Sequence, residues 1–482
     1  MSSTGAAEPA VTGRTWRALS VLLAGMFMAL LDTTIVNVAL PPIRNSLNAS
    51  EATLSWIISG YALAFGLALI PAGRLGDRLG HKWVFFAGLS LFTLASLACG
   101  FARSDLQLVV SRVAQGLACG VYVPAVTAFI QLLFPPRARG RAFAVMGSVI
   151  GVSTALGPIL GGLIIQAAGE ENGWRLVFWV NLPIGVLTLI AAAVLLPRKS
   201  ASQTLSGGVD WLGLLLVTGG LVAVLVPLIQ GEDAGWPPWT FLSIAGGLLL
   251  LVSFALWENA YARRGRGPLV PPGLFRHRAF TGGVVLALIY FAAFTSIFFV
   301  ISLLWQAGLG HTALETGLVS LPFAIGNIIG AAQSNRLAKR YGRTVLIAGA
   351  ALVTAGLTAV WLVLLLTPAD GLSHWQFLVP LFVAGLGNGF FIAPNTSFIV
   401  ATVAPAEAGA ASGVVAAVQR IGSAIGIAVV GSVLFGTLVV RGNTPAAVAT
   451  GFSEAATNAI LVSACLSLAA LLLVLALPRR VR

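Results

Sequence analysis

The chain has 482 residues, of which 58% are hydrophobic and only 9% are charged, and its mean hydropathy is +0.95. A soluble globular domain carries about 25% charged residues, so this composition excludes a water-soluble fold. The net charge of +13 could suggest a nucleic-acid partner, but the basic residues lie between apolar runs and not on one face of a soluble domain. We therefore expect a lipid bilayer as the surrounding solvent and no nucleic-acid partner.

Fourteen apolar runs follow one another along the chain, each near the length of about 20 residues that a membrane-spanning helix requires. The runs do not alternate in polarity as barrel strands do, and a helix satisfies its own backbone hydrogen bonds in lipid. The sequence therefore predicts an all-α polytopic membrane protein. Its helices are predicted over residues 16–36, 53–72, 82–101, 105–132, 141–165, 176–197, 210–230, 239–259, 279–304, 314–335, 343–366, 375–399, 409–438 and 455–477.

The basic residues are concentrated in the segments that lie on one side of the predicted membrane. With the N-terminus in the cytoplasm, 22 of the 28 lysines and arginines fall in cytoplasmic segments. Four fall in external segments, and two, Arg112 and Arg420, lie inside predicted helices. Because positive residues favour the cytoplasmic side, we predict that both termini are cytoplasmic.

An internal repeat divides the chain. RLGDRLGH at 74–81 is echoed by RLAKRYGR at 336–343, and GLACGVYVP at 116–124 by GLGNGFFIAP at 385–394. Two echoes at similar spacing predict two homologous six-helix halves with two helices inserted between them. Parallel repeats of this kind describe the major facilitator architecture, in which the substrate site lies between the halves near the bilayer midplane. The predicted units are a cytoplasmic tail 1–15, a six-helix bundle 16–197, the inserted helices with their loops 198–278, a second bundle 279–477, and a tail 478–482.

Asp32 is the one acidic residue that the sequence places well inside a predicted helix, whereas Glu258 and Glu407 lie at helix ends. A charge at the bilayer centre costs about 2.5 to 3.5 kcal/mol, which makes the neutral carboxyl competitive. Such a carboxyl can exchange a proton with either side as access alternates. The alternative is that Asp32 only satisfies a local polar network or caps a helix break before Pro41.

Arg112 is the second candidate for proton coupling. Counted inward from the predicted outer helix ends, Asp32 and Arg112 both lie about 8 to 11 Å deep. An arginine cannot shed its proton, so Arg112 can hold Asp32 ionised when near and let it protonate when far. The alternative is a structural arginine bonded to backbone carbonyls.

Two glycine-containing strings stand out. GRLGDRLGHK at 73–82 has Gly73 and Gly80 for a tight cytoplasmic turn. Its Asp77, which precedes Arg78, can accept from a helix N-terminus or pair with a neighbouring arginine across the interface of the halves. A solvated, positively charged loop is the alternative for most of that string. GVSTALGPILGG at 151–162 combines small residues, which let helices approach closely, with a proline that weakens a turn. Packing alone is the alternative for the second string.

Polar residues within apolar runs mark a candidate substrate cavity. The aromatic stripe that contains Tyr290, Phe294 and Phe298 is also typical of lipid-facing or packing surfaces. The candidate cavity residues are Gln115, Tyr290, Asn388, Asn395, Gln419 and Arg420.

Motifs of nucleotide-binding and hydrolytic enzymes are absent from the sequence. It contains no G-x-x-x-x-G-K-[ST] phosphate loop, no H-E-x-x-H and no G-x-S-x-G. The three cysteines fall inside apolar runs, which implies neither a disulfide framework nor a metal site. We therefore expect no enzymatic activity, no metal and no cofactor, and a proton gradient as the energy source.

These strings resemble the major facilitator superfamily, and more closely its fourteen-helix drug:proton antiporter family, over essentially the whole chain. GRLGDRLGHK resembles motif A, RVAQGLACG at 112–120 motif B, GVSTALGPILGG antiporter motif C, and LDTTIVNVALPPI at 31–43 the motif following the first helix. The resemblance implies that Asp32 is the proton-coupling acid and Arg112 the motif B arginine. It also implies gating by motif A and an export-favouring hinge in motif C, formed by Gly157, Pro158, Gly161 and Gly162.

The function that the resemblance implies is proton-coupled antiport, exporting small amphipathic drugs or antibiotics by alternating access across a bacterial plasma membrane, as a monomer. Relatives that export divalent cations carry an extra acid in the helix that corresponds to residues 314–335 here. In that helix this chain has only Glu315, at the outer rim. Monocationic, neutral or zwitterionic substrates are therefore favoured over bulky dications. A proton-coupled nutrient or metabolite symporter is the alternative, against which motif C argues. A membrane-embedded enzyme or receptor would need a convergent catalytic set that one buried acid does not supply.

Overall fold

The computed structural model describes residues 12–197, 210–231, 234–265, 268–400, 408–442 and 444–476. Within these ranges there is no β-strand, and fourteen helical segments are long and apolar enough to cross a membrane. The predicted all-helical class and the fourteen spans are confirmed. The α-helices are α1 Gly13–Leu47, α2 Glu51–Leu79, α3 His81–Phe101, α4 Asp105–Leu133, α5 Pro136–Ala168, α6 Glu170–Trp179, α7 Asn181–Leu195, α8 Trp211–Gln230, α9 Pro238–Arg263, α10 Arg278–Leu303, α11 Ala313–Tyr341, α12 Thr344–Leu366, α13 His374–Val400, α14 Ala408–Gly436 and α15 Pro445–Ala476.

Helix packing repeats between the two halves of the chain. In the first half α2 and α3 pack on α4, and α1 packs on α5. In the second half α11 and α12 pack on α13, and α10 packs on α14, in the same pattern. The halves meet where α2 contacts α14 and where α5 contacts α11, while α8 packs on α9 and lies against α2 and α14. The inserted pair therefore lies beside one of the two seams between the halves.

Helix α1 is longer than the sequence predicted. It ends at Leu47 and not near 36, and it continues through Pro41 and Pro42. A proline removes one backbone hydrogen bond to the carbonyl four residues earlier, which for Pro41 is the carbonyl of Asn37. That carbonyl instead accepts a hydrogen bond from the Ser302 hydroxyl of α10. The proline thus frees an acceptor that joins the two halves.

The sixth span is made of two helices where the sequence predicted one. α6 and α7 meet at Val180, and together they form the span Glu171–Leu195. Asn181 is the first residue of α7 and is fully buried. The junction therefore brings a polar side chain into the interior of the first half.

The apolar core is continuous across the halves at the predicted external end. One cluster of buried residues includes most of the second half and takes its first-half members from residues 35–58, 99–108 and 165–178, near that end. Toward the predicted cytoplasmic end, the first half has its own cluster around Leu22, Phe85 and Phe129, joined from the second half by Ala417. A separate cluster there surrounds Phe280 and Val414. Apolar packing therefore joins the halves at the predicted external end and also along α2 and α14, where a further cluster combines Leu63 and Leu67 with Ile421 and Ala424.

Candidate functional site

The Asp32 carboxylate is fully buried on α1 and accepts hydrogen bonds from three side chains. Nη1 of Arg112 donates to its Oδ2 at 2.6 Å. Nε2 of Gln115 and Nδ2 of Asn181 each donate to its Oδ1 at 2.9 Å. Both carboxylate oxygens of this buried acid therefore have hydrogen-bond donors.

The Arg112 guanidinium is held on several sides and is 1% exposed. Its Nε donates to the carbonyl of Ile57 at 3.0 Å, and its Nη1 also donates to Oε1 of Gln115 at 2.7 Å. The ring of Tyr61 lies 4.0 Å from the guanidinium carbon, in cation–π geometry. Both sequence alternatives for Arg112 are thus realised in part, because it pairs with Asp32 and also bonds a backbone carbonyl.

Two members of this network were not predicted from the sequence. The Ser96 hydroxyl accepts from Gln115 at 3.1 Å and from Asn181 at 2.9 Å, and it donates to the carbonyl of Phe178 at 2.9 Å. Asn181 is a polar residue inside an apolar run, the same signal that singled out Gln115. A serine is too common in membrane helices to be selected in this way.

The depth of Asp32 was misjudged from the sequence. Because α1 continues to Leu47, counting from a helix end near 36 placed Asp32 too close to the outer face. The predicted proximity to Arg112 nevertheless holds, at 2.6 Å. The alternative in which Asp32 caps a helix break before Pro41 is wrong, since α1 is continuous there.

Asp32 is not the only buried acid among the described residues. Asp210 and Glu258 are 2% and 3% exposed at the predicted cytoplasmic end of the inserted helices. Asp210 caps α8, accepting from the backbone N–H of Gly213 and from the indole of Trp257. Glu258 accepts from the backbone N–H of Val270 at 2.7 Å. Both acids lie at or near helix ends, as predicted for Glu258, whereas Asp32 lies in the interior of its helix and faces an arginine.

The motif C glycines contact two different partners. A Cβ on Gly157 would overlap the hydroxyl of Thr34, and one on Gly161 would lie 2.9 Å from Ile35, so both permit close packing on α1. A Cβ on Gly162 would lie 2.5 Å from the Cα of Leu314 in the second half.

The motif C proline lies at the seam between the halves. The carbonyl of Pro158 lies close to Gly317 of α11, and α5 continues unbroken through the proline. Motif C therefore joins α1 to the seam, and its role as a hinge remains a prediction.

Motif A is described only in part. Gly80 ends α2 with a φ of +86°, a conformation that favours glycine, and its N–H donates to the carbonyl of Gly76. Gly73 and the side chains of Asp77 and Arg78 lie outside the part of the chain that the structure describes. The gating role of motif A therefore stays a prediction.

A second buried polar network lies in the second half. The Tyr290 hydroxyl donates to Oδ1 of Asn388 at 2.9 Å, and Nδ2 of Asn388 donates to Oδ1 of Asn327 at 3.0 Å. The Tyr290 ring stacks on Phe391 with centroids 3.6 Å apart. Asn327 was not predicted, although it too is an amide inside an apolar run.

The six predicted cavity residues do not gather at one surface. Gln115 belongs to the Asp32 network, and Tyr290 and Asn388 belong to the second network. Asn395 is 1% exposed, and its amide makes no hydrogen bond within the described part of the chain. Gln419 and Arg420 are partly exposed on α14.

A small cavity of about 20 Å³, close to the space that one water molecule occupies, lies between α1, α5, α10 and α11. Phe298 lines it, and Phe294 and Phe298 both pack on Phe323, so this stripe is a packing surface. The cavity is lined by Thr34, Asn37, Val38, Pro158, Phe298, Ser302, Thr316 and Ser320.

Comparisons with known proteins agree with this architecture. The family model of the Major Facilitator Superfamily matches residues 22–427 and 286–481. The chain is 37% identical to the "Probable actinorhodin transporter" of Streptomyces coelicolor, over 90% of this chain and 75% of that protein. It is 35% identical to the "Puromycin resistance protein pur8" of Streptomyces alboniger, over 93% and 88%. It is 34% identical to the "Tetracenomycin C resistance and export protein" of Streptomyces glaucescens, over 87% and 76%.

Among solved structures, the chain is similar in fold to a D-xylose-proton symporter. The TM-score is 0.66 at 15% sequence identity, over 95% of this chain and 97% of that one. At this identity the likeness concerns the fold alone.

Proposed function

The chain belongs to the Major Facilitator Superfamily, and we propose that it is a proton-coupled antiporter that exports small amphipathic drugs or antibiotics. Membership makes it a multi-pass transporter of small molecules in the plasma membrane and not an enzyme, as the sequence predicted. The observation that carries the proposal is the buried ion pair of Asp32 and Arg112. We further propose that it acts as a monomer with both termini in the cytoplasm.

The direction of transport is supported by the relatives. Those at 34% to 37% identity are named as a transporter of actinorhodin, a puromycin resistance protein and a resistance and export protein for tetracenomycin C. Export protects a cell from such compounds, whereas uptake does not. The symporter likeness extends to fold at 15% identity and lends the nutrient-uptake alternative no support.

The proton enters this mechanism at Asp32. With the carboxylate ionised, Arg112 and Asp32 neutralise each other in a buried site. Protonation removes the negative charge and leaves Arg112 as a buried cation without a counter-charge, which is strongly unfavourable. The protonated protein therefore favours a different arrangement of α1 and α4, in which Arg112 gains other partners.

Movement of α1 would reach the seam between the halves through α5. Thr34 lies two residues after Asp32 and packs against Gly157. The next residue, Pro158, lies against Gly317 in the second half. A shift of α1 would therefore change the contact of α5 with α11 and favour opening to one side.

The membrane gradient is large enough for this work. A membrane potential of 100 mV is worth about 2.3 kcal/mol for each charge moved, or roughly fifty-fold in substrate concentration. One proton exchanged for a neutral molecule would thus sustain a concentration gradient that matters for resistance.

The test uses everted membrane vesicles that hold a respiration-generated pH gradient. Puromycin, tetracenomycin C and a series of lipophilic cations are added to wild type, to Asp32→Asn and to the control Asp370→Asn. We expect at least one compound to collapse the gradient with wild type and the control but not with Asp32→Asn. Asp370 is a suitable control because it is an exposed acid in a loop. Gradient collapse that is equal in all three proteins would contradict proton coupling through Asp32.

A further inference from the structure

Arg420 is a cation at the centre of the seam between the halves. It lies near the middle of α14, and its guanidinium carbon is 4.3 Å from the ring centroid of Phe65 on α2. A Cβ on Gly66 would lie 3.0 Å from the Cβ of Arg420, so the two helices are in direct contact there. The guanidinium therefore belongs to the surface along which the halves move.

Arg420 has no counter-charge. Within the part of the chain that the structure describes, it makes the cation–π contact with Phe65 and neither a hydrogen bond nor an ion pair. Arginine stays protonated in proteins, and its side chain here is partly accessible. Intramembrane arginines face the bundle interior or a water-filled cavity and mark substrate pathways. Arg420 thus has donors that no described residue uses, as a ligand-binding group requires.

The surroundings of Arg420 leave its positive charge uncompensated. Asp32 is the buried acid of the first half, and Arg112 already neutralises it. The ring of Tyr61 lies against Arg112 and forms an edge contact with Phe65, with centroids 6.0 Å apart. The two arginines thus lie at opposite ends of one aromatic pair. The local field is net positive.

We propose that Arg420 is the anion-recognition site of the exported substrate, and that it binds the carboxylate or ionised phenol of an acidic aromatic molecule. The inference rests on the proposed function, which supplies an exported substrate, and it names an acidic class where the sequence favoured monocationic, neutral or zwitterionic substrates. Phe65 offers an aromatic surface beside the guanidinium. The position of Arg420 near the middle of its helix separates this site from lipid headgroups, which lie at the membrane faces.

The site also contains a neutral polar neighbour. Ser423, one helical turn after Arg420, shares a hydrogen bond of 2.9 Å with Thr295 of α10. These hydroxyls can reorient toward a bound ligand, because a hydroxyl both donates and accepts. Arg420 thus offers one fixed charge, and Ser423 and Thr295 offer adjustable hydrogen-bonding groups.

The experiment measures binding to the full chain in lipid nanodiscs, without any proton gradient. The probes are anthracene-9-carboxylate and its methyl ester, which differ in charge. Wild type should bind the carboxylate more tightly than the ester. Arg420→Gln should weaken carboxylate binding by about 10- to 100-fold, the range for a hydrogen bond to a charged group. It should leave ester binding unchanged, which also shows that the variant is folded.

Two further variants sharpen the result. Arg420→Lys keeps the charge and should retain part of the carboxylate preference, whereas the exposed Arg103→Gln should behave as wild type. Absence of a carboxylate preference in wild type, or its survival in Arg420→Gln, would overturn the proposal. Displacement of the probe by an equal concentration of chloride would assign the site to inorganic anions and also overturn it. If export proves not to be proton-driven while Arg420→Gln still loses the carboxylate, the proposed antiport fails and the anion site stands.

Discussion

The two halves pack alike but differ in the chemistry of their buried networks. In the first half, α1 and α4 are joined by the ion pair of Asp32 and Arg112. The corresponding helices of the second half, α10 and α13, are joined by the neutral hydrogen bond of Tyr290 to Asn388. Both halves therefore carry a buried polar contact between corresponding helices, but at different positions along them, and only the contact in the first half is an ion pair.

Because, among the described residues, only the first half has a buried ion pair, we expect the two halves to play different roles in transport. A buried ion pair changes its stability by several kcal/mol when one charge is removed, so it can couple protonation to movement. A neutral network keeps its hydrogen bonds when pH changes, so it can serve as a fixed frame. The second half contributes Arg420 at the seam instead, in cation–π contact with Phe65.

The largest effect is expected from breaking the ion pair. Arg112→Gln leaves Asp32 buried without its counter-charge and should reduce the free energy of unfolding by about 3 to 5 kcal/mol. Thermal unfolding of the detergent-solubilised protein measures this change. The double variant Asp32→Asn with Arg112→Gln should be more stable than Arg112→Gln alone, because no unpaired charge remains. Strictly additive effects of the two substitutions would contradict the pairing.

A smaller loss of stability is expected from substitution of Asn181, which the sequence analysis did not single out. Asn181→Ala removes one hydrogen bond to the Asp32 carboxylate and should reduce stability by about 1.5 to 3 kcal/mol. The exposed Asn259→Ala, measured in the same unfolding assay, provides the control and should change stability by much less. Equal losses in the two variants would mean that Asn181 does not support the charged site.

The seam at the predicted external end is tested by Gly162→Ala. Its Cβ would lie 2.5 Å from backbone atoms of Leu314, so the halves must separate locally, at a cost of about 1 to 3 kcal/mol. A cysteine at Ser302, in a background lacking Cys465, should then react faster with a membrane-impermeant maleimide. Gly147→Ala on the same helix has no atom within 4 Å of the new Cβ and serves as the control. Unchanged labelling would show that this contact does not hold the external end closed.

The smallest effect is expected in the neutral network. Tyr290→Phe removes the hydrogen bond to Asn388 and should lower stability by about 0.5 to 1.5 kcal/mol. Proton-driven export by this variant, measured in everted vesicles across a range of pH, should keep the wild-type pH profile. A shifted profile would show that the second half also takes part in proton coupling and would remove the contrast between the halves.

Helix number could be predicted, and Asp32 and Arg112 could be singled out, because both depend on local signals; their pairing at 2.6 Å is what the structure adds. Long apolar runs indicate membrane-spanning helices, and an isolated charge in such a run requires a partner. The end of α1 could not be predicted, because its continuation through Pro41 depends on a carbonyl being satisfied by Ser302 of the other half. That partner is 265 residues away in the chain.

The polar residues were harder to assign than the charged ones. Asn181 and Asn327 carry the same signal as Gln115 and were missed, since an amide in an apolar run can face another helix, a cavity or its own backbone. The cavity candidates separate in space for the same reason: Tyr290 and Asn388 bond each other, whereas Arg420 faces the seam. Only the packed arrangement distinguishes a donor that is already used from one that is free.

The most direct test of proton coupling separates transport from its driving force. Purified wild type and Asp32→Asn are reconstituted into liposomes with a compound that collapses the gradient in the vesicle assay. Exchange of labelled for unlabelled compound is measured without a gradient, and accumulation is measured with an imposed pH gradient. If Asp32 is the coupling acid, Asp32→Asn should retain exchange and lose pH-driven accumulation. Accumulation by Asp32→Asn at the wild-type level would contradict the assignment of proton coupling to this carboxylate.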